Sequence, residues 1–321
     1  MVYWQISEDP SVDERGDGFG LFVSLFFILI VTVGSILGVS MSGYRSTFND
    51  VVEIEPMEHG DEKESTIEEA GNTETVEFSA INFQPVIDNW INSTSGIRSV
   101  LIYDLDRDEM VGAYNPDLSY NTASLYKLFV VYEGYRRLQS GEWSADSMAG
   151  RSGLSIAKCL DLAIRESNST CAEAIWAMIG RERLNEIVEN DFRITNSDIS
   201  SLVSTPEDVL KMMKIYYRHS DINNENYISI MKDSFLNQPT TEYNWRQGLP
   251  SGFSKANVYN KVGWDYNPDG KYWNIYHDAA IVEFPDDNRH FAVVVMTSRV
   301  PFQKIRQLGS DIEQWFESNK Y

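Results

Sequence analysis

Positions 121–130 read "NTASLYKLFV", with a hydroxyl at Ser124 and an ammonium three residues later at Lys127. On a helix, residues three apart share a face, so these two groups meet. A helix start also points backbone N–H groups outward, where they favour negative charge. In a dry site with a second cation nearby, a lysine gives up its proton readily and can accept one from serine, which makes a nucleophile for acyl transfer. The bland alternative is a serine that caps the helix beside a solvated lysine. Ser-x-x-Lys arises by chance roughly once in a chain of this length, so the spacing alone does not choose between them.

Two other stretches supply matching groups. "RESNSTCA" at 165–172, between two helical stretches, offers Ser167 and Ser169. "NKVG" at 260–263, at the end of a strand, offers Lys261 and Gly263, with Trp264 directly after. In this order the three boxes resemble the Ser-x-x-Lys, Ser-x-Asn, Lys-Thr-Gly signature of the penicillin-recognising serine hydrolases. The chain is similar to class A β-lactamases and their relatives over about residues 80–318. "VLIYDLDRDEMVGAYNPDLSYNTASLYKL" resembles their opening hairpin and nucleophile helix, and "STPEDVLKMM" their Thr-Pro helix start. "QGLPSGFSKANVYNKVGW" and "HDAAIVEFPDDNRHFAVVVMTS" resemble the turn and strands that close the fold.

The resemblance implies roles. Ser124 attacks a lactam or amide carbonyl and becomes acylated, Lys127 assists as base, and Ser167 passes a proton to the departing nitrogen. The N–H groups of Ser124 and Trp264 form the oxyanion hole. Lys261 holds Ser167 in a positive field and attracts the substrate carboxylate. Gly263 lets substrate lie along the strand, and Ser169 stands where the family contacts the substrate amide with asparagine. A hydroxyl there is shorter and offers one donor. Val262 replaces the threonine of Lys-Thr-Gly, a loss of roughly 1.5–3 kcal/mol where the acceptor is charged. The third departure is the largest: "DFRITNSDISSLV" occupies the region of the family's long glutamate-bearing loop, too short and with Asp198 as the one carboxylate near its middle. Glu166 reads as a surface or helix-end charge. Acylation is therefore expected to be more secure than fast hydrolysis.

The elements that must position these groups are legible as patterns. Phe83, Val86, Ile87, Trp90 and Ile91 fall at helical spacing. "SVLIYDLDRDEMVGAY" reads as two strands around a polar turn, and four or five helical segments follow from about 124 to 235. Strands are expected at 257–262, 278–284 and 291–297, then a last helix burying Phe302, Ile305, Leu308, Ile312 and Trp315. The fold class is α/β (α+β): an antiparallel sheet flanked by helices plus an all-helical lobe, the β-lactamase/transpeptidase-like arrangement. Cys159 and Cys171 read most simply as two small buried apolar side chains, although a pair in an exported domain can form a disulfide.

Upstream lie three zones. Residues 1–18 are a short acidic tail. Residues 19–41 run without a charge, and about 34 Å of helix suffices to cross a bilayer, so one uncleaved transmembrane helix is expected. Residues 42–78 hold ten acids from Glu53 to Glu77 against Arg45 and Lys63, a solvated, self-repelling linker. The hydrolase domain spans 79–321. A net charge of −21 argues against nucleic acid and anionic lipid surfaces as partners. His59, His219, His277 and His290 are scattered and no zinc-like cluster occurs, so neither metal nor cofactor is expected. The reading is a single-pass membrane protein with its catalytic domain outside the cytoplasm, acting on β-lactams or related amide substrates. One alternative is a DD-peptidase or transpeptidase of the same fold, acting on cell-wall peptides. Another is a catalytically weak sensor of β-lactams or peptidoglycan.

Overall fold

The central strands of the main sheet, Ile97–Asp104 and Arg289–Ser298 above all, are sealed on both faces, so their apolar residues run continuously instead of alternating with polar ones. In the computed structural model, which describes residues 81–240, 244–266 and 274–320, this sheet has the order β2-β1-β7-β6-β5. The strands are β1 (Ile97–Asp104), β2 (Glu109–Tyr114), β5 (Asn257–Asp265), β6 (Ile275–Phe284) and β7 (Arg289–Ser298). All neighbours pair antiparallel. Val100 and Ile102 of β1 join one buried layer with Val293 and Val295, whereas Leu101 and Tyr103 join the other with Ala292 and Val294. Period-two alternation is present but apolar on both sides.

The first layer is closed by α1 (Gln84–Ser93) and α8 (Phe302–Asn319). Trp90 is buried and its indole N–H donates to the Lys304 carbonyl at 2.6 Å, tying the two helices together. The last helix buries Phe316, stacked 4.0 Å from Phe284, rather than the expected Trp315, which is half-buried and donates to the Asn82 carbonyl at 2.9 Å. The indole keeps a wet edge where Phe316 has no polar atom to satisfy.

The second layer lies against the helical lobe: α2 (Tyr126–Gln139), α3 (Ile156–Arg165), α4 (Ser169–Ile179), α5 (Arg181–Asn190), α6 (Pro206–Arg218) and α7 (Glu225–Leu236). Two short strands, β3 (Tyr120–Asn121) and β4 (Val203–Ser204), pair beside it. Helix α6 starts as the Thr-Pro dipeptide suggests, with the Thr205 hydroxyl accepting from the Asp208 amide at 3.2 Å.

The cysteines correct the sequence reading. Cys159 and Cys171 are joined in a disulfide, with Cα atoms 4.7 Å apart. They sit on successive helices of the lobe, α3 and α4, whose tight connection brings two apolar faces together. The acidic tail 1–18, the span 19–41 and the linker 42–78 all lie outside the described residues. Among the described residues no helix is long and apolar enough to cross a membrane.

Candidate active site

Ser124 sits on a single 3-10 turn, Ala123–Leu125, between β3 and α2. The residue before it, Ala123, has φ +43, a left-handed conformation costing about 1–2 kcal/mol outside glycine. Three bonds hold it there. The Ala123 amide donates to Asn121 Oδ1 (2.8 Å), the Thr122 amide to the Leu202 carbonyl (2.8 Å), and the Leu125 amide to the Thr122 carbonyl (2.9 Å). The Ser124 hydroxyl caps nothing, since neither this turn nor α2 has a side-chain cap. That removes the bland alternative for the serine.

Beneath the turn lies His277 of β6, fully buried. Its Nδ1 accepts from the Thr297 amide at 2.9 Å, which leaves the ring proton on Nε2 to donate to the Asn121 carbonyl at 2.8 Å. Burial pushes its pKa from 6.5 down to about 4. Above pH 6.5 the ring is neutral folded or unfolded. As pH falls towards 4, the unfolded chain takes up a proton that the folded one refuses, so stability drops, by about 3 kcal/mol in all. Urea melts between pH 7 and 4 are expected to show this loss, and His277→Gln should flatten it. Parallel acid losses in both proteins would assign the effect elsewhere.

Two hydroxyl–ammonium pairs make the centre. Lys127 Nζ donates to Ser124 Oγ at 2.7 Å and to Ser169 Oγ at 3.2 Å. The lysine is fully buried, and that burial lowers its pKa to about 8 against the opposing pull of the Glu173 carboxylate. Across from it, Lys261 Nζ donates to Ser167 Oγ at 2.8 Å and to the Val262 carbonyl at 2.8 Å. Burial, then the charge of Lys127, hold Lys261 well below the usual lysine range. Burial thus leaves Lys127 able to take a proton near neutral pH.

The serine-led box is a helix entrance. Ser167 has φ +54, and Asn168 caps α4 by accepting the Cys171 amide on Oδ1 at 2.9 Å. The central asparagine of "SNS" therefore starts the helix, while the flanking serines reach the two lysines. Gly263 has a structural duty: a Cβ there would stand 2.7 Å from the Thr122 carbonyl and 3.0 Å from Leu125 Cγ. Strand β5 can pack against the nucleophile turn only with glycine at this point. Val262 is fully buried on the opposite face, in the layer with Val258 and Ala280. Its methyl groups serve the core. Trp264 is half-buried at the exposed end of β5, with ring centroids 5.8 Å from Trp245 and 6.5 Å from Tyr266. Trp245 in turn donates to the Glu166 carbonyl at 3.2 Å.

The loop carboxylates have other employment. Asp198 accepts from Ser200 (2.7 Å), Ser201 (2.6 Å) and Asn185 (2.6 Å), bonds that hold its pKa well below the carboxylate norm. Glu166 is exposed at the C-terminal end of α3, as its position suggested. The residues that the sequence reading passed over are Asn121, Tyr126, Glu173 and His277. Glu173 lies four after Ser169, so helical periodicity alone would have put both on one face of α4. His277 carried no local signal; it matters because the β5–β6 register sets it opposite Gly263. Among the described residues no group of three or more His, Cys, Asp or Glu side chains is placed to hold a metal.

Residues 82–316 match the model of the β-lactamase enzyme family. No curated protein matches the chain. Among solved structures, a representative class A β-lactamase from Bacteroides cellulosilyticus DSM 14838 is 16% identical, with TM-score 0.62, covering 74% of this chain and 99% of that one. An ancestral class A β-lactamase (GNCA) is 15% identical, with TM-score 0.62, covering 73% and 99%. The TLA-1 extended-spectrum β-lactamase is 14% identical, with TM-score 0.61, covering 73% and 98%. At these identities the likeness is one of fold.

Proposed function

Because the chain belongs to the β-lactamase enzyme family, we propose that it is a membrane-anchored serine hydrolase that forms an acyl-enzyme on Ser124 with β-lactams or related amide donors. Membership carries the reaction class, a serine hydrolase of the β-lactamase-like kind. The observation that carries the acyl-enzyme on Ser124 is a fully buried lysine whose Nζ lies 2.7 Å from Ser124 Oγ.

In the reaction, neutral Lys127 takes the Ser124 proton as Oγ bonds to the carbonyl carbon. Negative charge moves to the carbonyl oxygen, where the amides of Ser124 and Trp264 receive it. The C–N bond then breaks, and the nitrogen collects a proton from Ser167, whose hydroxyl is replenished from the ammonium groups around it. Lys261, held against Ser167, keeps the site positive for a substrate carboxylate. Ser169 and Gly263 border the substrate on the two sides.

A second reading, a DD-peptidase or transpeptidase acting on cell-wall peptides, is favoured by one observation. The Asp198 carboxylate, nearest in place to the family's loop glutamate, is tied to Ser200, Ser201 and Asn185. With no such base for water, the acyl-enzyme should persist. Placement outside the cytoplasm is part of the same proposal. The apolar run at 19–41, the acidic linker and the Cys159–Cys171 disulfide support it.

Intact-mass analysis after incubation with a penicillin, and separately with a D-alanyl-D-alanine peptide, tests the proposal. The expected result is one covalent penicillin adduct, mapped to the Ser124 peptide and lasting for minutes. Rapid loss of that adduct would favour lactamase turnover. An adduct elsewhere, or none with any acyl donor, would leave the sensor reading.

A further inference from the structure

A buried lysine that must alternate between amine and ammonium needs a counter-charge near enough to be felt, yet not so near that it locks one form. Helix α4 supplies one. Ser169 at its start accepts from Lys127 Nζ at 3.2 Å, and Glu173 lies one turn further along the same face. Glu173 Oε1 accepts from the Tyr126 hydroxyl at 3.0 Å, and Lys127 Nζ stands 5.2 Å from the Tyr126 ring centroid. The other carboxylate oxygen pairs with Arg181, whose guanidinium stacks 4.0 Å over Trp176. The Trp176 ring packs 5.0 Å from Tyr126. Glu173 is thus fixed between a neighbour of the base and a cation, with its side chain 43% exposed to water.

We propose that Glu173 is a positioning residue for acylation: its charge stabilises the ammonium that Lys127 becomes on taking the Ser124 proton, and Arg181 sets how much of that charge Lys127 feels. The proposal rests on Ser124 and Lys127 acting as nucleophile and base. The charged or titratable groups facing Lys127 are Tyr126 on its own helix, Glu173 on α4 and Lys261 on β5, with Arg181 of α5 acting through Glu173. Burial disfavours the Lys127 ammonium and the Glu173 carboxylate opposes that, while the charge of Lys127 in turn lowers the pKa of Lys261.

The two halves of the Glu173–Arg181 pair therefore have opposite effects. Acylation needs neutral Lys127, so its rate falls on the acid side of the Lys127 titration. Glu173→Gln removes the support for the ammonium, and the acid limb is expected to move down by roughly half a pH unit. The plateau should also fall several-fold, because the lysine becomes a weaker base. Arg181→Gln unmasks the carboxylate and should move the limb up. Glu173→Asp, which keeps the charge, should restore most of the wild-type profile. A merely structural ion pair would shift both disruptive variants the same way or neither.

The experiment measures acylation by a chromogenic β-lactam against pH for the full chain and these variants, together with the side-chain nitrogen NMR titration of Lys127 in 15N-lysine-labelled protein. Opposite shifts in both readouts are the expected result. Shifts of one sign, or none, overturn the proposal. If wild type reacts with no acyl donor, the hydrolase reading fails, while the NMR titration still decides the role of Glu173.

Discussion

Methionine in place of Lys127 is expected to slow acylation of Ser124 about 10³-fold at pH 8 while leaving the protein at least as stable as before. The kinetic part follows from losing the amine bonded to the nucleophile, Nζ at 2.7 Å from Oγ, and general-base help is worth roughly 10²–10⁴. The stability part has the opposite sign. Lys127 is fully buried and its pKa falls from 10.5 to about 8 on folding, so at pH 7 the folded state carries a charge that burial disfavours. Between pH 8 and 10.5 the unfolded chain binds more protons, and stability therefore rises with pH across that window, by about 3 kcal/mol at the limit. Methionine, of similar length, removes both the charge and this dependence. Stopped-flow acylation and urea melts at pH 7 and 10 check the two parts together. The acid limb of the acylation profile, centred near the Lys127 pKa of about 8 in wild type, should vanish in the variant. Acylation at the wild-type rate would mean that another group takes the serine proton.

That opposition, stability lost so that reactivity is gained, runs through the site. Lys127 and Lys261 are buried side chains in a core that would be more stable with apolar ones. Ala123 and Ser167 hold left-handed backbones beside the reacting groups. What holds these strained pieces is neutral hydrogen bonding, from Asn121, Leu202, Asn168 and His277. A local sequence pattern at odds with stable folding is what a functional site is expected to leave behind.

The same physics decides what could be read from sequence. Ser124 and Lys127 are three apart on a 3-10 turn that runs directly into α2, so their pairing is a local fact and helical spacing finds it. The period-3.6 pattern of Phe83 to Ile91 placed α1, and the apolar runs placed the sheet, because both signals arise within a few residues. Ser167 and Lys261 are 94 residues apart. Nothing in composition joins them, and only the order of the three boxes suggested the contact. Asn121, His277 and Thr297 form one bonded chain across β3, β6 and β7, which depends on strand register and leaves no local trace. Cys159 and Cys171 each look like core residues on an apolar helix face, and whether two such faces meet sulfur to sulfur is a tertiary matter. Val262 and Gly263 show the limit of motif reading most plainly. Their neighbours in the folded chain, a core layer and a nucleophile turn, are set by which face of β5 each side takes.

Gly263→Val is accordingly expected to damage stability and chemistry together. Its backbone lies in an ordinary strand, so glycine is not needed there for an unusual φ. What it supplies is empty space. A Cβ would meet the Thr122 carbonyl at 2.7 Å, Leu125 Cγ at 3.0 Å and His277 Cδ2 at 3.0 Å. Leu125 has some freedom to yield. The Thr122 carbonyl has little, since it accepts the Leu125 amide at 2.9 Å and closes the turn that carries Ser124. Either β5 or the turn must move, and overpacking of this kind costs about 3 kcal/mol. A displacement near 1 Å at Ser124 would slow acylation a further 10²-fold or so. The informative comparison is Val258→Ala, also on β5 but in the layer on the other side of the sheet. That change should cost roughly 2 kcal/mol through a cavity and leave acylation untouched. Urea melts and acylation rates on both variants separate the effects. If Gly263→Val slows acylation no more than Val258→Ala does, the glycine is serving general packing and not the position of the nucleophile.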